Sequence, residues 1–480
     1  MPFNVVGRSN STDPSRVNNS FVCNTWFRSR EHGHSSAPDR SSTTNQTGSL
    51  MVITTEKTLR TDAWHTGQPL DLNFPNHWEV QVLWPATLPP FSDQQIADKL
   101  DRPVGPSLIP EMCSGTSRPL VIVDDLNRPT PAARVLPLLL ERFREARIPA
   151  GNVTILIATG THGAPQARSV EKKVGPEAAS GCRVLVHDAK RNCVHIGRTL
   201  SGTPVLVNKA VLESDFVIGI GGVYPNYTAG FGGGSKLALG VLGFRSIKTL
   251  HFRFNGSGWG REKNQPFRTE LDEIARMIRL NAIISLHINA DCEIVRVTCG
   301  DHFSYYDEEV TFARKFFSAP APEGADVVIS NAYPSDLSLT AVLQKGTAPL
   351  QYAAAQASRI VIACCSDGVG EHGLFPVIKP PGLAAVQFLR RLSVMKPYEF
   401  VHAIARRLQR QSPSKSTETR NPVWLYRPLR RGEDLPAHIP GFRVLNSWSD
   451  VLAAIEREQG TEKRLKVFLY PYAPLQSLTL

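Results

Sequence analysis

Short runs of uninterrupted apolar residues recur along the chain and alternate with stretches of helical periodicity. Such runs lie at 120–125, 152–160, 183–188, 215–222, 325–330 and 359–364. Strands that are apolar throughout are buried on both faces, which is typical of parallel sheets covered by helices. The pattern predicts an α/β protein, with two α/β domains whose sheets are mainly parallel.

One amphipathic helix is well marked after the first run. Its apolar side chains recur at helical spacing at Val135, Leu136, Leu139, Leu140 and Phe143. Thr130 precedes it and could cap its free backbone N–H groups, and Pro131 suits the first helical position. We therefore predict a helix over 132–147 with Thr130 as its N-cap.

Changes in composition divide the chain into three parts. Residues 1–50 are rich in Ser, Asn, Thr and Arg and offer little apolar surface, which predicts a disordered tail. A second change near residue 300 places a domain boundary there. We predict an N-terminal catalytic and cofactor-binding domain over 51–302, which 465–480 could complete, and a C-terminal α/β domain over 303–464.

Charge and cysteine content narrow the function classes. The 480-residue chain has a net charge of +11, with a basic cluster near its end at Arg406, Arg407, Arg410, Lys415, Arg420, Arg427, Arg430 and Arg431. No nucleic-acid-binding motif accompanies this cluster, so we interpret it as a solvated surface or an attraction for anionic substrates, without a nucleic-acid partner. The eight cysteines show no CxxC spacing, and no apolar run is long enough to span a membrane, so we expect a cytoplasmic protein.

Polar residues with chemical potential follow several of the predicted strands. Asp125 and Arg128 follow the first, His162 the second, Asn226 the fourth and Asp336 a strand of the later domain. Ligands of open α/β sheets bind outside the carboxyl ends of the strands, so one shared cleft is predicted. The simpler alternatives are that Asp125 caps a helix with Arg128 as its local partner, and that His162 is a turn residue.

A glycine-rich stretch, "AGFGGGSK", brings Gly233 and Gly234 close to Lys236. It is not a phosphate-binding P-loop, because Ser235 rather than glycine precedes the lysine and leucine follows it. A G-x-G-x-x-G dinucleotide signature is also absent. Bare backbone would let a ligand approach closely, and the alternative is a tight turn before a buried helix.

Together, "DDLNRPTP", "ILIATGTHG", "AGFGGGSK" followed by "SIKTLH", and "GDHFSYYDEE" resemble the nickel-pincer lactate racemase family. The order and spacing agree from about Met51 almost to the C-terminus. The resemblance implies a racemase or epimerase of a 2-hydroxy acid, an isomerase that works by reversible hydride transfer to a cofactor in the cleft between the domains. The implied cofactor is a nickel-pincer nucleotide, pyridinium-3-thioamide-5-thiocarboxylic acid mononucleotide, made by dedicated biosynthetic enzymes that would be transient partners.

By this resemblance Lys236 is the covalent tether of the cofactor and His251 is the nickel ligand. Asp125, Gly233 and Gly234 match positions beside the cofactor. The loop between Lys236 and Ile247 is one residue shorter than in the family, which predicts a slightly reshaped loop.

The resemblance also assigns catalytic and substrate-binding positions. His162 matches the first of two base histidines, whereas Asn226 stands where the second is expected. Arg128 matches a substrate-binding arginine, and Lys345 lies one position after the expected lysine, whose place Gln344 takes. These departures leave two alternatives open: a non-racemising redox isomerase, or a catalytically inactive homologue that binds the cofactor.

The substrate pocket departs from the family pattern as well. Thr340 and Ala341 replace an expected Tyr-Gln pair, which favours a substrate other than lactate, such as a sugar acid. Tyr224 and Tyr227 are the nearest residues that could supply a hydroxyl in place of the missing base.

Overall fold

A computed structural model describes residues 50–52, 58–65, 67–105, 109–165, 167–254, 258–260, 266–378, 382–394, 421–429 and 434–479. All of them belong to one compact unit, Thr44–Leu480. The predicted disordered tail lies outside the described residues except for Leu50, which begins a strand. Of the basic cluster near the C-terminus only Arg427 is described; it is buried, with its Nε donating to the Cys364 carbonyl, so it is not part of a solvated surface.

The first of two six-stranded sheets is built from strands between residues 119 and 300. Its strands, in spatial order, are Ile294–Gly300, Leu280–Ile288, Phe216–Gly222, Pro119–Asp124, Thr154–Ala158 and Arg183–Val186. All neighbours are parallel except the pair formed by the first two.

Both faces of this sheet are covered, as the uninterrupted apolar runs predict. Val121 and Val123 pack on one side against helix Ala132–Glu145, while Leu120 and Ile122 face the opposite core. Alternate residues of one strand therefore support two hydrophobic cores.

The second sheet is parallel throughout. Its strands, in spatial order, are Phe442–Leu445, Val423–Tyr426, Ser358–Ile362, Val327–Asn331, Lys466–Tyr470 and Glu79–Val82. Two separate sheets, the first mainly parallel and the second parallel throughout, confirm the predicted α/β fold class.

We continue to propose a domain boundary near 302/303. Strand pairing shows which sheet two segments distant from this boundary join. Lys466–Tyr470, which we expected could complete the first domain, is hydrogen-bonded within the second sheet instead. Glu79–Val82, from the N-terminal range, forms the edge of the same sheet. We therefore propose that both segments belong with the second sheet.

Helices and short strand pairs complete the described residues. The α-helices are Asp93–Leu100, Ile109–Met112, Ala132–Glu145, Ala167–Val174, Pro176–Gly181, Lys209–Leu212, Lys236–Leu239, Phe244–Arg253, Pro266–Met277, His302–Phe316, Leu339–Ala341, Leu383–Leu392 and Trp448–Gln459. Ala150–Asn152 and Pro349–Gln351 are 3₁₀ turns, and Val342–Gly346 is a π-helical turn. The strand pairs are Leu50–Val52 with Asn73–Pro75, Arg60–Thr61 with Gln68–Pro69, Cys193–Arg198 with Pro204–Asn208, Pro225–Asn226 with Gly230–Phe231, and Ser318–Pro320 with Ser477–Thr479. Within the described residues, no helix is long and apolar enough to cross a membrane.

The predicted cap of the first long helix is wrong. The helix begins at Ala132, and Pro131 occupies the N-cap position without a side-chain hydrogen bond. The Thr130 hydroxyl donates instead to Asp124, at 2.6 Å. A charged acceptor within reach outcompetes the cap, since hydrogen bonds to ionised groups are the stronger ones.

Candidate active site

Loops from both sheets meet around one cavity of about 300 Å³. The loops that follow Pro119–Asp124, Thr154–Ala158 and Phe216–Gly222 contribute from the first sheet, and loops that follow Val327–Asn331 and Ser358–Ile362 contribute from the second. Residues that line the cavity include Asp125, Arg128, His162, Asn226, Gly233, Lys236, His251, Gln344 and His372. The cavity therefore lies where carboxyl ends of parallel strands place a ligand.

Asp125 and His162 form a hydrogen-bonded pair at the cavity wall. The Nδ1 atom of His162 contacts Oδ2 of Asp125, and the side-chain amide of Asn127 donates to the same oxygen at 3.2 Å. Because a carboxylate only accepts hydrogen bonds, Nδ1 of His162 carries the proton and Nε2 keeps its lone pair. Burial alone would raise the pKa of Asp125, but His162 and Arg128 overcome this effect and hold the pKa well below its usual range. Asp125 is thus a fixed anion that orients a base.

Asn226 has its amide oxygen committed to the local turn. Its Oδ1 accepts hydrogen bonds from the backbone N–H groups of Thr228 and Ala229, both at 3.0 Å. The side chain can therefore offer its NH₂ group to a ligand but no base. Burial raises the pKa of Tyr224 and that of Tyr227, so neither phenol replaces a base near neutral pH.

Lys236 begins a short helix directly after the glycine-rich loop and lines the cavity. Burial, with the positive charges of Arg128 and Arg268 in support, lowers the pKa of Lys236 to about 7. A large fraction of this amine is therefore uncharged and nucleophilic near neutral pH.

His251 lies on helix Phe244–Arg253 and also faces the cavity. Its Nδ1 donates to the Ile247 carbonyl at 2.9 Å, which leaves the lone pair of Nε2 for another partner. Burial lowers the pKa of His251 to about 4, so its imidazole is neutral. This arrangement is typical of histidines that bind metals, whose second nitrogen is held by a carbonyl or carboxylate. The described residues contain no cluster of three side chains that could hold a metal alone, so a metal here needs ligands from a bound molecule as well.

Gly233 and Gly234, which precede Lys236, adopt backbone conformations that favour glycine. Gly233 and Gly234 have φ angles of +72° and +54°, and a Cβ atom on Gly234 would lie 2.7 Å from the ring of Tyr306. The tight-turn alternative therefore accounts for Gly234, which does not line the cavity. Gly233 does line it.

Comparison with known proteins finds a family model and curated relatives that match parts of the chain. Residues 66–260 match the family model described as the lactate racemase N-terminal domain. The lactate racemases of Thermoanaerobacterium thermosaccharolyticum and Lactiplantibacillus plantarum are each 28% identical over 295 residues, which cover 59% of this chain and 69% of each relative. These matches support a lactate racemase-like family for this chain.

Solved structures show the same fold over most of the chain. The lactate racemase apoprotein of T. thermosaccharolyticum matches with a TM-score of 0.67 and 21% identity, and covers 88% of this chain and all of its own. A crystal structure of a Thermotoga maritima protein matches with a TM-score of 0.54 and 14% identity, covering 81% of this chain and 99% of its own. Lactate racemase relatives indicate that this chain is an isomerase of the racemase type.

Lys345 lies one position after the lysine expected from the resemblance to lactate racemases. A π-helical turn in this segment can accommodate such a one-residue shift. Val342–Gly346 is a π-helical turn, which accommodates one more residue than an α-helical turn. Gln344 lines the main cavity, whereas Lys345 lies in a small adjoining cavity with Arg128 and Asn226. The Lys345 Nζ donates to the Asn127 carbonyl, and burial together with Arg128 lowers the pKa of this lysine well below its usual range.

Sequence reasoning missed two buried side chains of this site. Lys173 donates to Asp124 at 2.7 Å and to the carbonyl of Thr130 at 2.9 Å, which fixes the loop that carries Asp125. His372 lines the cavity from the second sheet's side. Neither belongs to a motif of recognisable spacing, and only the "EHG" in a loop after a predicted strand could have drawn attention to His372.

Proposed function

We propose that this chain is a racemase or epimerase of a 2-hydroxy acid that uses a nickel-pincer nucleotide attached to Lys236. The observation that carries the proposal is the Asp125–His162 pair, which faces the same cavity as Lys236 and His251. It supplies a base at the place where an amine could tether a cofactor and an imidazole could bind a metal.

The residues present fit the proposed cofactor. The lowered pKa of Lys236, about 7, leaves a substantial fraction of its amine deprotonated near neutral pH, and covalent attachment through a thioamide needs this uncharged form. Nε2 of His251 has a free lone pair, and imidazole is a suitable ligand for nickel. When bound, the nucleotide would supply a reversible acceptor for the hydride at C2 of the substrate.

In this proposal His162 takes the hydroxyl proton of the substrate at Nε2 and later returns it. Asp125 holds the imidazole in the required tautomer and stabilises the imidazolium that forms. An imidazole suits both directions of a reversible reaction because its ordinary pKa lies close to neutral pH.

Arg128 would bind the substrate carboxylate, since its planar guanidinium suits bidentate contact with two oxygens. It lines both the main cavity and the adjoining one. Lys345 would contribute from the adjoining cavity, and Gln344 would offer an amide to a further substrate oxygen. Two amide side chains in the pocket, Gln344 and Asn226, favour a hydroxylated acid such as a sugar acid.

Asn226 favours a second candidate function. With its Oδ1 bonded to two backbone N–H groups, it cannot take a proton from the opposite face of the substrate. A non-racemising redox isomerase would need only His162 as a base. Lys236, His251 and Arg128 would have the same roles in it as in the racemase.

The test begins with protein produced together with the cofactor-building enzymes. Intact mass and nickel analysis should give a mass increment that maps to Lys236 and nearly one nickel per chain. Unmodified protein under conditions that load a known lactate racemase would contradict the proposal. Lys315→Ala, at an exposed lysine, is the matched control for Lys236→Ala.

Loaded protein is then given single enantiomers of 2-hydroxy acids in D₂O, and the products are separated by chirality. Racemisation with the original hydrogen kept at C2 supports the first candidate. Isomerised product of unchanged configuration at C2 supports the second. No turnover of any acid by fully loaded protein supports the inactive homologue.

A further inference from the structure

His372 is a buried histidine of the cavity for which the proposed reaction has no role. Its side chain is 8% exposed and its ring centroid lies 5.0 Å from that of His162. It arrives on the loop after Ser358–Ile362, and Gly373 anchors this loop by donating its N–H to the Thr161 carbonyl at 2.8 Å. The two imidazoles thus come from opposite sheets and meet at one cavity.

The Nδ1 atom of His372 is surrounded by donors. The backbone N–H groups of Leu374 and Phe375 point to it at 3.2 and 3.3 Å, and the Thr161 hydroxyl lies at 3.4 Å. A nitrogen that accepts from two backbone N–H groups must keep its lone pair, so the proton of the neutral imidazole is on Nε2. No described residue is a hydrogen-bond partner of that Nε2–H.

The surroundings also oppose a charged imidazole. A proton on Nδ1 would face two N–H groups that have no alternative acceptor on this side chain. Burial, His162 and His251 lower the pKa of His372 to about 3, and the opposing effect of Asp125 is smaller. Two further charged side chains lie close by: Glu371 precedes His372 in the chain, and Arg390 donates to the Gly373 carbonyl at 3.5 Å.

We propose that His372 is a permanently neutral imidazole that donates its Nε2–H to an oxygen of the substrate. The proposal rests on the proposed function for the class of substrate, a 2-hydroxy acid. His162 and His372 then have opposite tautomers: the first presents a lone pair and takes the hydroxyl proton, while the second presents an N–H and binds an oxygen that carries negative charge. His372 therefore does not replace the base that Asn226 lacks.

The first test reads the tautomer without turnover. Full-length protein with ¹⁵N-labelled histidine is studied by long-range ¹H–¹⁵N NMR, and His372 is assigned by its absence in His372→Gln. We expect Nε2 protonated, Nδ1 unprotonated and no titration between about pH 5 and 9. A proton on Nδ1, or titration within that range, would overturn the proposal.

The second test uses 2-hydroxyisobutyrate, a hydroxy acid without a hydrogen at C2, as a non-reacting probe. Saturating amounts should shift the Nε2–H resonance of His372, and an unmoved resonance would count against a contact with substrate. The two proposals can fail separately. If only the proposed function is wrong, wild-type protein takes up no cofactor, but Nε2 of His372 still carries the proton.

Variants then separate donation from base catalysis. Glutamine can overlay its amide N–H on Nε2–H, so His372→Gln should keep kcat/KM within about tenfold, whereas His372→Phe should lose about 10- to 100-fold through KM. Both should keep the wild-type pH profile. Loss of one limb of that profile in both variants would show a base and refute the assignment.

Discussion

At the scale of single residues, the partner of each Nδ1 atom decides what each histidine of the cavity can do. His162 donates to a carboxylate, His251 donates to a backbone carbonyl, and His372 accepts from backbone N–H groups. The first two therefore present a lone pair at Nε2 and the third a proton. Three identical side chains in one cavity thereby acquire different chemistry.

Replacing Asp125 by asparagine should test this dependence. The amide NH₂ would donate to Nδ1 of His162 and force the proton onto Nε2, which removes the base. We expect kcat to fall about 10³- to 10⁴-fold, as for other oriented histidine bases, while nickel content measured on the same sample stays unchanged. Asp188→Asn, at an exposed carboxylate, is the control, and equal kcat in the two variants would contradict the role of Asp125.

Lys236 should lower the stability of the protein without cofactor. Its folded pKa, about 7, lies below the unfolded value, so the unfolded state binds more protons between these two values. The free energy of unfolding should therefore rise with pH from about 7 to 10 because of this lysine. Lys236→Met should be more stable than wild type by on the order of 4 kcal/mol at pH 7, and its advantage should be smaller at pH 10. Urea unfolding at both pH values measures this; a pH-independent difference would contradict it.

The sequence identified only those site residues that belong to a local motif. Lys236 and His162 follow short, specific patterns, and the structure brings both to one cavity. Lys173 and His372 were missed because their partners lie 49 residues away, for the Lys173–Asp124 bond, and 211 residues away, for the His372–Thr161 contact. Their environment arises only when distant loops pack together.

At the scale of elements, the glycine-rich loop is held by two helices from later in the chain. Arg268, on Pro266–Met277, donates to the carbonyls of Phe231 and Gly233 at 2.7 and 3.1 Å. Tyr306, on His302–Phe316, donates to the Gly232 carbonyl at 2.9 Å and lies over Gly234. The motifs "AGFGGGSK" and "GDHFSYYDEE" thus form one contact, which their separation in the sequence does not reveal.

Because Tyr306 lies so close to Gly234, we expect a methyl group at position 234 to lower the free energy of unfolding substantially. Gly234→Ala adds a Cβ against Tyr306 at a positive φ, whereas Gly441→Ala has a φ of +79° and open space. Backbone strain of about 1 kcal/mol is common to both, so Gly234→Ala should lose about 1–3 kcal/mol more through overpacking. Thermal unfolding of the two variants measures the difference, and equal losses would show that Tyr306 yields to the methyl group.

At the scale of the whole molecule, two covered parallel sheets follow directly from the apolar runs. The strands predicted at 120–125 and 359–364 are observed at Pro119–Asp124 and Ser358–Ile362. The membership of Glu79–Val82 in the second sheet was not predicted. A strand's pattern shows which faces are buried, but it does not name the strand that it pairs with.

Loss of Lys466–Tyr470 should therefore prevent the second sheet from forming. This strand lies between Val327–Asn331 and Glu79–Val82 and is hydrogen-bonded to both. A chain that ends at residue 465 should show reduced strand content by circular dichroism and a larger hydrodynamic volume by gel filtration. Wild-type unfolding behaviour in this truncated chain would contradict a central role for the strand.

The pairing of Glu79–Val82 with Lys466–Tyr470 has a consequence for synthesis. Chains emerge from the ribosome N-terminus first, so the first sheet can assemble while the edge strand of the second waits for a neighbour that is made hundreds of residues later. His372 reaches the cavity on a loop of that later sheet. A partly made chain thus holds Lys236 in a half-built cleft, and the cavity is enclosed only after residue 470 is released. The cavity that Lys236 and His372 share is therefore completed at the end of translation.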